Sequence, residues 1–301
     1  MFDQLIVQPI FNLLEVIYAL EPGHDLGVAI IIFTAIIRMA LWPLVKKQLH
    51  QARAMKKLQP KLKELKKAAA GDRQKEARLQ MELYKEHGVK PFATIGTLII
   101  QIPIFIALYQ AVLKLVNDPN ILITFSYDFV RDLPWIQNLA NDISQFNYHF
   151  LGFADLSRNA FENGLYFPAL LIAAAAGTAQ YFQSKLMMKD SKDSKKLSQI
   201  LRDASAGKQA DQSEIGAAIS KNMMYFLPFL TFGFSAILPS ALGLYILTTS
   251  AVGYFQHAYV LKIDKDEMHE LAVEAEEKER TQEPAKKKKS SKSKKKKRKR
   301  R

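Results

Sequence analysis

Arg38 is the residue with the most unusual chemistry for its setting. It is the one charge in Leu26–Val45, a twenty-residue apolar run. As a helix, a run of that length reaches ~30 Å, the thickness of a bilayer's hydrocarbon core. An arginine at the middle of such a helix costs ~2.5–3.5 kcal/mol on insertion scales. Snorkelling is the bland explanation. Lys46 closes the run eight residues later, ~12 Å along the axis, and a long side chain recovers only part of that distance. None of the long apolar runs contains Asp or Glu to pair with Arg38. The guanidinium therefore needs water, and water at that depth needs a cavity open to one side. A wet cationic cavity without its own anion binds another molecule's anion: acidic residues of a passing polypeptide, or lipid phosphate.

Neutral polar residues recur on the other apolar runs. Thr34 lies one turn before Arg38. Thr94, Thr97 and Gln101 share one helical face, Gln180 and Gln183 another, and Thr231 and Ser235 a third, with Thr248 and Thr249 further on. They could line the cavity, or they could join helices by interhelical hydrogen bonds. For a single Thr the second reading is the stronger. Gln101, Gln180 and Gln183 are costlier to bury and are the better cavity candidates.

Enzyme chemistry has no foothold. The chain has no cysteine, no HExxH, no GxSxG and no glycine-rich phosphate loop. Of six histidines, only His257 falls inside an apolar run, near its end. No catalytic residue, metal or cofactor is expected. A proton-driven transporter would carry Asp, Glu or His deep in its spans; their absence weakens that reading, and a small transporter or channel stays only as the alternative.

The positioning elements follow from the segregation of charge. The 301 residues carry 43 Lys+Arg and 29 Asp+Glu, a net charge of +14. Residues 286–301 alone hold 13 Lys/Arg and no acid. From Asn222 to Leu261 there is no charge in forty residues, as a bilayer demands and a soluble fold does not. Five spans are predicted: 26–45, 92–116, 165–188, 222–238 and 240–261, the last two split by Pro239. The connection 46–91 is net +9 and 189–221 is net +2, whereas 1–25 and 117–164 are each net −4. The positive-inside rule then puts the basic loops and the C-terminus in the cytoplasm and the N-terminus outside.

Residues 1–25 read as an extracytoplasmic interfacial helix starting near Pro9, with a poor signal-anchor as the alternative. Residues 46–91 read as a cytoplasmic basic helical hairpin. Gly71-Asp72 makes its turn, Gly88 ends its second helix, and Pro60 should kink or restart its first. The aromatics of 117–164 suit the outer interface. Residues 262–301 form a cytoplasmic tail ending in the disordered polybasic run 286–301. That run could bind ribosomal RNA by counterion release, or lie on anionic lipids.

Four stretches resemble the YidC-type membrane protein insertases of bacteria. They are Ile37-Arg38 with Pro43-Leu44; Leu58-Gln59-Pro60; Leu83–Pro91 leading to Gln101-Ile102-Pro103 and Ala107-Leu108-Tyr109; and Met223-Met224-Tyr225 with Pro228, then Pro239 to Gly243-Leu244-Tyr245. Some positions depart from the family pattern: Ile246 stands where Trp is common, Lys90 where Asn is usual, and Ala93-Thr94-Ile95-Gly96 replaces a Gly-Cys-x-Pro element. The resemblance implies an all-α polytopic protein, five transmembrane helices around a hydrophilic groove open to the cytoplasm, in the bacterial plasma membrane. Arg38 would be the groove arginine, with Thr34, Thr97, Gln101, Gln180 and Gln183 beside it. It also implies nascent membrane proteins as substrates, work alone or beside the Sec translocon, and no nucleotide hydrolysis. The ribosome and anionic lipids are the further partners expected.

Overall fold

The computed structural model describes residues 2–69, 71–90, 95–118, 120–188, 202 and 212–263. The chain divides into two compact units, Met1–His257 and Ala258–Arg301. In the second, the described residues 258–263 are helical. The polybasic run, most of the 189–221 loop and Thr94 lie outside the described residues.

The described residues of the first unit are mostly helical, as the apolar periodicity predicts. A π-helical turn, Asp3–Val7, leads into α1 (Gln8–Leu20), whose Pro9 occupies the first turn as expected. Next come α2 (Leu26–Ala40), α3 (Trp42–Ala69) and α4 (Arg73–Glu86). The helix α5 (Ile95–Asn117) precedes three short helices, α6 (Ile121–Thr124), α7 (Asp128–Arg131) and α8 (Pro134–Asn141). One antiparallel strand pair follows, with His149 opposite Asp155 and Phe150 opposite Ala154; it is the only sheet among the described residues. The chain continues with α9 (Phe167–Met188), α10 (Gln212–Ile237) and α11, which begins at residue 240.

At two prolines the structure departs from a simple reading of the helices. The helix expected over 26–45 breaks at Leu41, and α2 and α3 diverge there. Pro43 is the physical cause: it has no N–H for the carbonyl four residues back, and its ring crowds that turn. By contrast α3 runs through Pro60 without a restart. Pro60 is exposed, so water can serve the carbonyl it leaves unbonded. Among the described residues no single helix is long and apolar enough to cross a membrane. Leu26–Ala40 and Trp42–Leu62 meet the requirement together across a bend of 61°, and Ile99–Leu115 and Met224–Ile237 are shorter apolar stretches.

Three apolar clusters hold the unit. The largest joins α1, α2, α5, the segment 122–156 and α11 through Phe11, Tyr18, Phe33, Leu108, Leu122 and Leu242, all fully buried. A second closes the α3–α4 hairpin around Leu58, Leu83, Tyr84 and Val89. Asp72 caps α4 as predicted, accepting from the N–H groups of Gln74 and Lys75 at 2.9 and 3.1 Å. The third is a seam of small residues between α9 and α10, built on Ala169, Ala173 and Ala236. Gly177 extends the seam by one turn; a Cβ there would lie 3.1 Å from the Pro228 carbonyl oxygen. Small side chains at four-residue spacing let the two backbones approach.

Candidate substrate groove

Arg38 lies in the last turn of α2, three residues before the break. Its side chain is half-buried, and its Nε is buried without a hydrogen-bond partner. The Tyr245 phenol and His257 imidazole of α11 are close enough to feel its charge. The backbone beside it is tied to the same helix, because Gln256 Nε2 donates to the Arg38 carbonyl at 3.0 Å.

Helix α11 is the common partner of the predicted polar residues. Gln101 of α5 donates through Nε2 to the Tyr245 hydroxyl. Gln180 of α9 accepts from Ser250 Oγ at 3.0 Å, while its Nε2 donates to Ser184 Oγ at 3.3 Å. Gln183 faces Gly253, where any Cβ would run into its amide. A larger residue at 253 would have to displace the Gln183 amide from the space beside α11. Thr34 behaves differently. It is fully buried, and its hydroxyl donates to Ile30 O at 2.6 Å within its own helix, which leaves only lone pairs to offer a ligand. Thr97 is part of α5, and its side chain lies outside the described residues.

Sequence reasoning missed Tyr245 and Gln256 as site residues and set His257 aside. A signal existed: 245, 249, 253 and 256 recur at helical spacing, so one face of α11 carries Tyr, Thr, Gly and Gln toward its neighbours. Polar atoms accumulate on this face without partners. Gln256 Oε1 and His257 Nδ1 are buried and unbonded, like Arg38 Nε. Buried polar groups are normally satisfied, and a cluster of exceptions is where water or a ligand group belongs.

At the other end of α2 the connecting segments are bonded to one another. The turn between α10 and α11, at Pro239, docks on the segment 155–160. Ser240 N donates to Arg158 O at 2.8 Å, Ser240 Oγ to Asp155 O at 2.8 Å, and Ala241 N to Leu156 O at 3.0 Å. Asp25 caps α2 through the N–H groups of Gly27 and Val28, and its second oxygen accepts from Leu151 N at 2.7 Å.

Residues 19–267 match the model of the family described as 60Kd inner membrane protein. The chain belongs to that family. Membership places it among inner-membrane proteins and agrees with the resemblance read from its motifs. Curated relatives carry the name membrane protein insertase YidC. The one from Tolumonas auensis is 44% identical over 112 residues, 37% of this chain and 20% of the relative. That of Rhizobium meliloti is 34% identical over 135 residues, covering 45% and 21%. That of Magnetococcus marinus is 45% identical over 87 residues, covering 29% and 16%. The chain thus spans about a fifth of the length of the curated relatives it matches.

Proposed function

We propose that this protein is a membrane protein insertase and chaperone, which moves short polar segments of newly made membrane proteins across the bilayer through a hydrated cationic groove. The observation that carries the reading is Arg38: a half-buried guanidinium whose Nε is buried and unbonded, near the equally unbonded Gln256 Oε1 and His257 Nδ1. An anionic segment entering from the cytoplasm supplies the missing counter-charge. The attraction is stronger there than at the surface because the surroundings are less polar. The break at Leu41 adds to the effect. The fifteen residues of α2 span only ~22 Å, which favours a locally thinned bilayer and a shorter polar crossing.

In this reading the five spans lie near 26–45, 92–116, 165–188, 222–238 and 240–261, with the N-terminus outside and the C-terminus in the cytoplasm. The α3–α4 hairpin receives the substrate. The apolar part of the substrate rests along α9 and α11, whose Phe167, Leu171, Phe182 and Phe255 are exposed. The protein works alone or beside the Sec translocon and hydrolyses no nucleotide. The tail 286–301 recruits the ribosome through rRNA, with anionic lipids as a second attachment. The test is replacement: expression of this chain in cells depleted of their insertase should restore insertion of a short-tailed membrane protein. Failure to restore it, with the chain present in the membrane at normal levels, overturns the proposal.

A further inference from the structure

Glu15 is a carboxyl in the wrong place for a charge. It sits on α1 and is 3% exposed, beside a void of about 10 Å³ lined by Phe11, Leu14, Leu115, Leu122 and Phe146. Its Oε1 is buried and bonds to nothing. Its Oε2 lies 2.5 Å from Ser126 Oγ, and the same Oγ lies 2.5 Å from the Leu122 carbonyl oxygen.

Counting protons decides what Glu15 is. The Ser126 hydroxyl has one hydrogen and two oxygen neighbours. The Leu122 carbonyl can only accept, so it takes that hydrogen. Glu15 must then donate to Ser126 Oγ, which requires the acid form. An ionised Glu15 would take the serine hydrogen for itself, pressing Leu122 O against an oxygen with no proton between them. It would also leave a charged oxygen dry and unpaired, at a large desolvation penalty.

The contact holds one element to another. Gln8, Asn12 and Glu15 form a row on α1 facing residues 122–127. Gln8 Nε2 donates to Phe125 O at 3.0 Å, and Tyr127 N donates to Asn12 Oδ1 at 2.6 Å. Glu15 is the one member of the row whose bond depends on a proton. We propose that Glu15 is a proton-operated latch, docking α1 on the 122–127 segment while neutral and releasing it on ionisation.

The surrounding charges do not replace the proton. Arg131 of α7 acts on Glu15 from a distance and is paired to Asp128 at 2.6 Å. Lys114 of α5 lies 3.9 Å from Asp3 and over the Phe125 ring. Asp25 caps α2, the Tyr18 oxygen accepts from Asn147 N, and the His24 ring stacks on Trp135. Burial raises the Glu15 carboxyl to about 8, with the charge of Arg131 pulling the other way. The docked state therefore keeps a proton that the undocked state has released. Docking is strongest below the ordinary carboxylate value, weakens from about pH 4.5 to about pH 8, and is level above that.

The test uses the full chain in detergent. Infrared titration of wild type against E15Q should show a carboxylic-acid C=O band at neutral pH that disappears near pH 8. Hydrogen exchange of the 122–127 amides, taken at each pH relative to E15Q, should quicken about tenfold per pH unit between pH 5 and pH 8. A Glu15 already ionised at pH 6 overturns the proposal, and so does an acid band that titrates while the exchange ratio stays flat. Should E15Q not fold, Ser126→Ala serves instead. It removes the bond to Oε2 and must shift the acid band; an unshifted band is a contradiction.

Discussion

Around Asp25 and around Arg38, the two ends of α2 are finished differently. At the Asp25 end both carboxylate oxygens are used and the α10–α11 turn is bonded to 155–160, beside an apolar cluster that leaves a cavity of about 230 Å³ lined by Leu26, Leu115, Phe146 and Leu156. At the Arg38 end the apolar filling stops, and Arg38 Nε, Gln256 Oε1 and His257 Nδ1 are buried without partners. The same helices thus have bonded connections at one end and leave polar demand unmet at the other. On the proposed function the bonded end opposes leakage of ions, and the unmet demand holds water and accepts a charged guest.

The comparison can be broken most severely by separating the helices that frame both ends. Gly177→Leu places a side chain against the Pro228 carbonyl and Phe232, where backbone cannot yield. Overpacking of ~1–3 kcal/mol or more is expected. The measurement is thermal unfolding in detergent together with accumulation in membranes, both of which should fall.

A milder break targets the bonded end alone. Asp25→Ala removes the α2 cap and leaves Leu151 N without its acceptor, for a loss of ~1–2 kcal/mol. Protease sensitivity in the 143–156 region should rise while substrate insertion changes little, because the Arg38 end is untouched. The smallest effect belongs to the inner end. Tyr245→Phe takes the acceptor from Gln101 and leaves the ring in place. Stability should fall by ~1 kcal/mol and insertion by a few-fold. An unchanged melting temperature would show that the Gln101 bond contributes nothing.

Local signals in the sequence carried much of this architecture. Pro9, the Gly71-Asp72 turn and Pro239 each mark a boundary that the structure uses, because proline and capping residues act within a few positions of themselves. Apolarity hid the break at Leu41, since the run continues to Val45 although Pro43 cannot continue the helix. The partners of the groove residues were not legible for a different reason. Gln101 meets Tyr245 across 144 positions, and Gln256 meets the Arg38 carbonyl across 218. No periodicity within one segment encodes such pairs. Glu15 was hidden by its setting, an isolated acid in an interfacial helix that reads as solvated until Ser126 is found against it.

The most direct measurement compares Arg38 variants on two substrates that differ only in their translocated tails, one carrying Asp and Glu and one neutral. Arg38→Ala should lower insertion of the acidic tail about tenfold or more and spare the neutral tail, while Arg38→Lys restores part of the loss because charge matters more than fork geometry. Equal insertion of the acidic tail by Arg38→Ala and wild type would contradict the account.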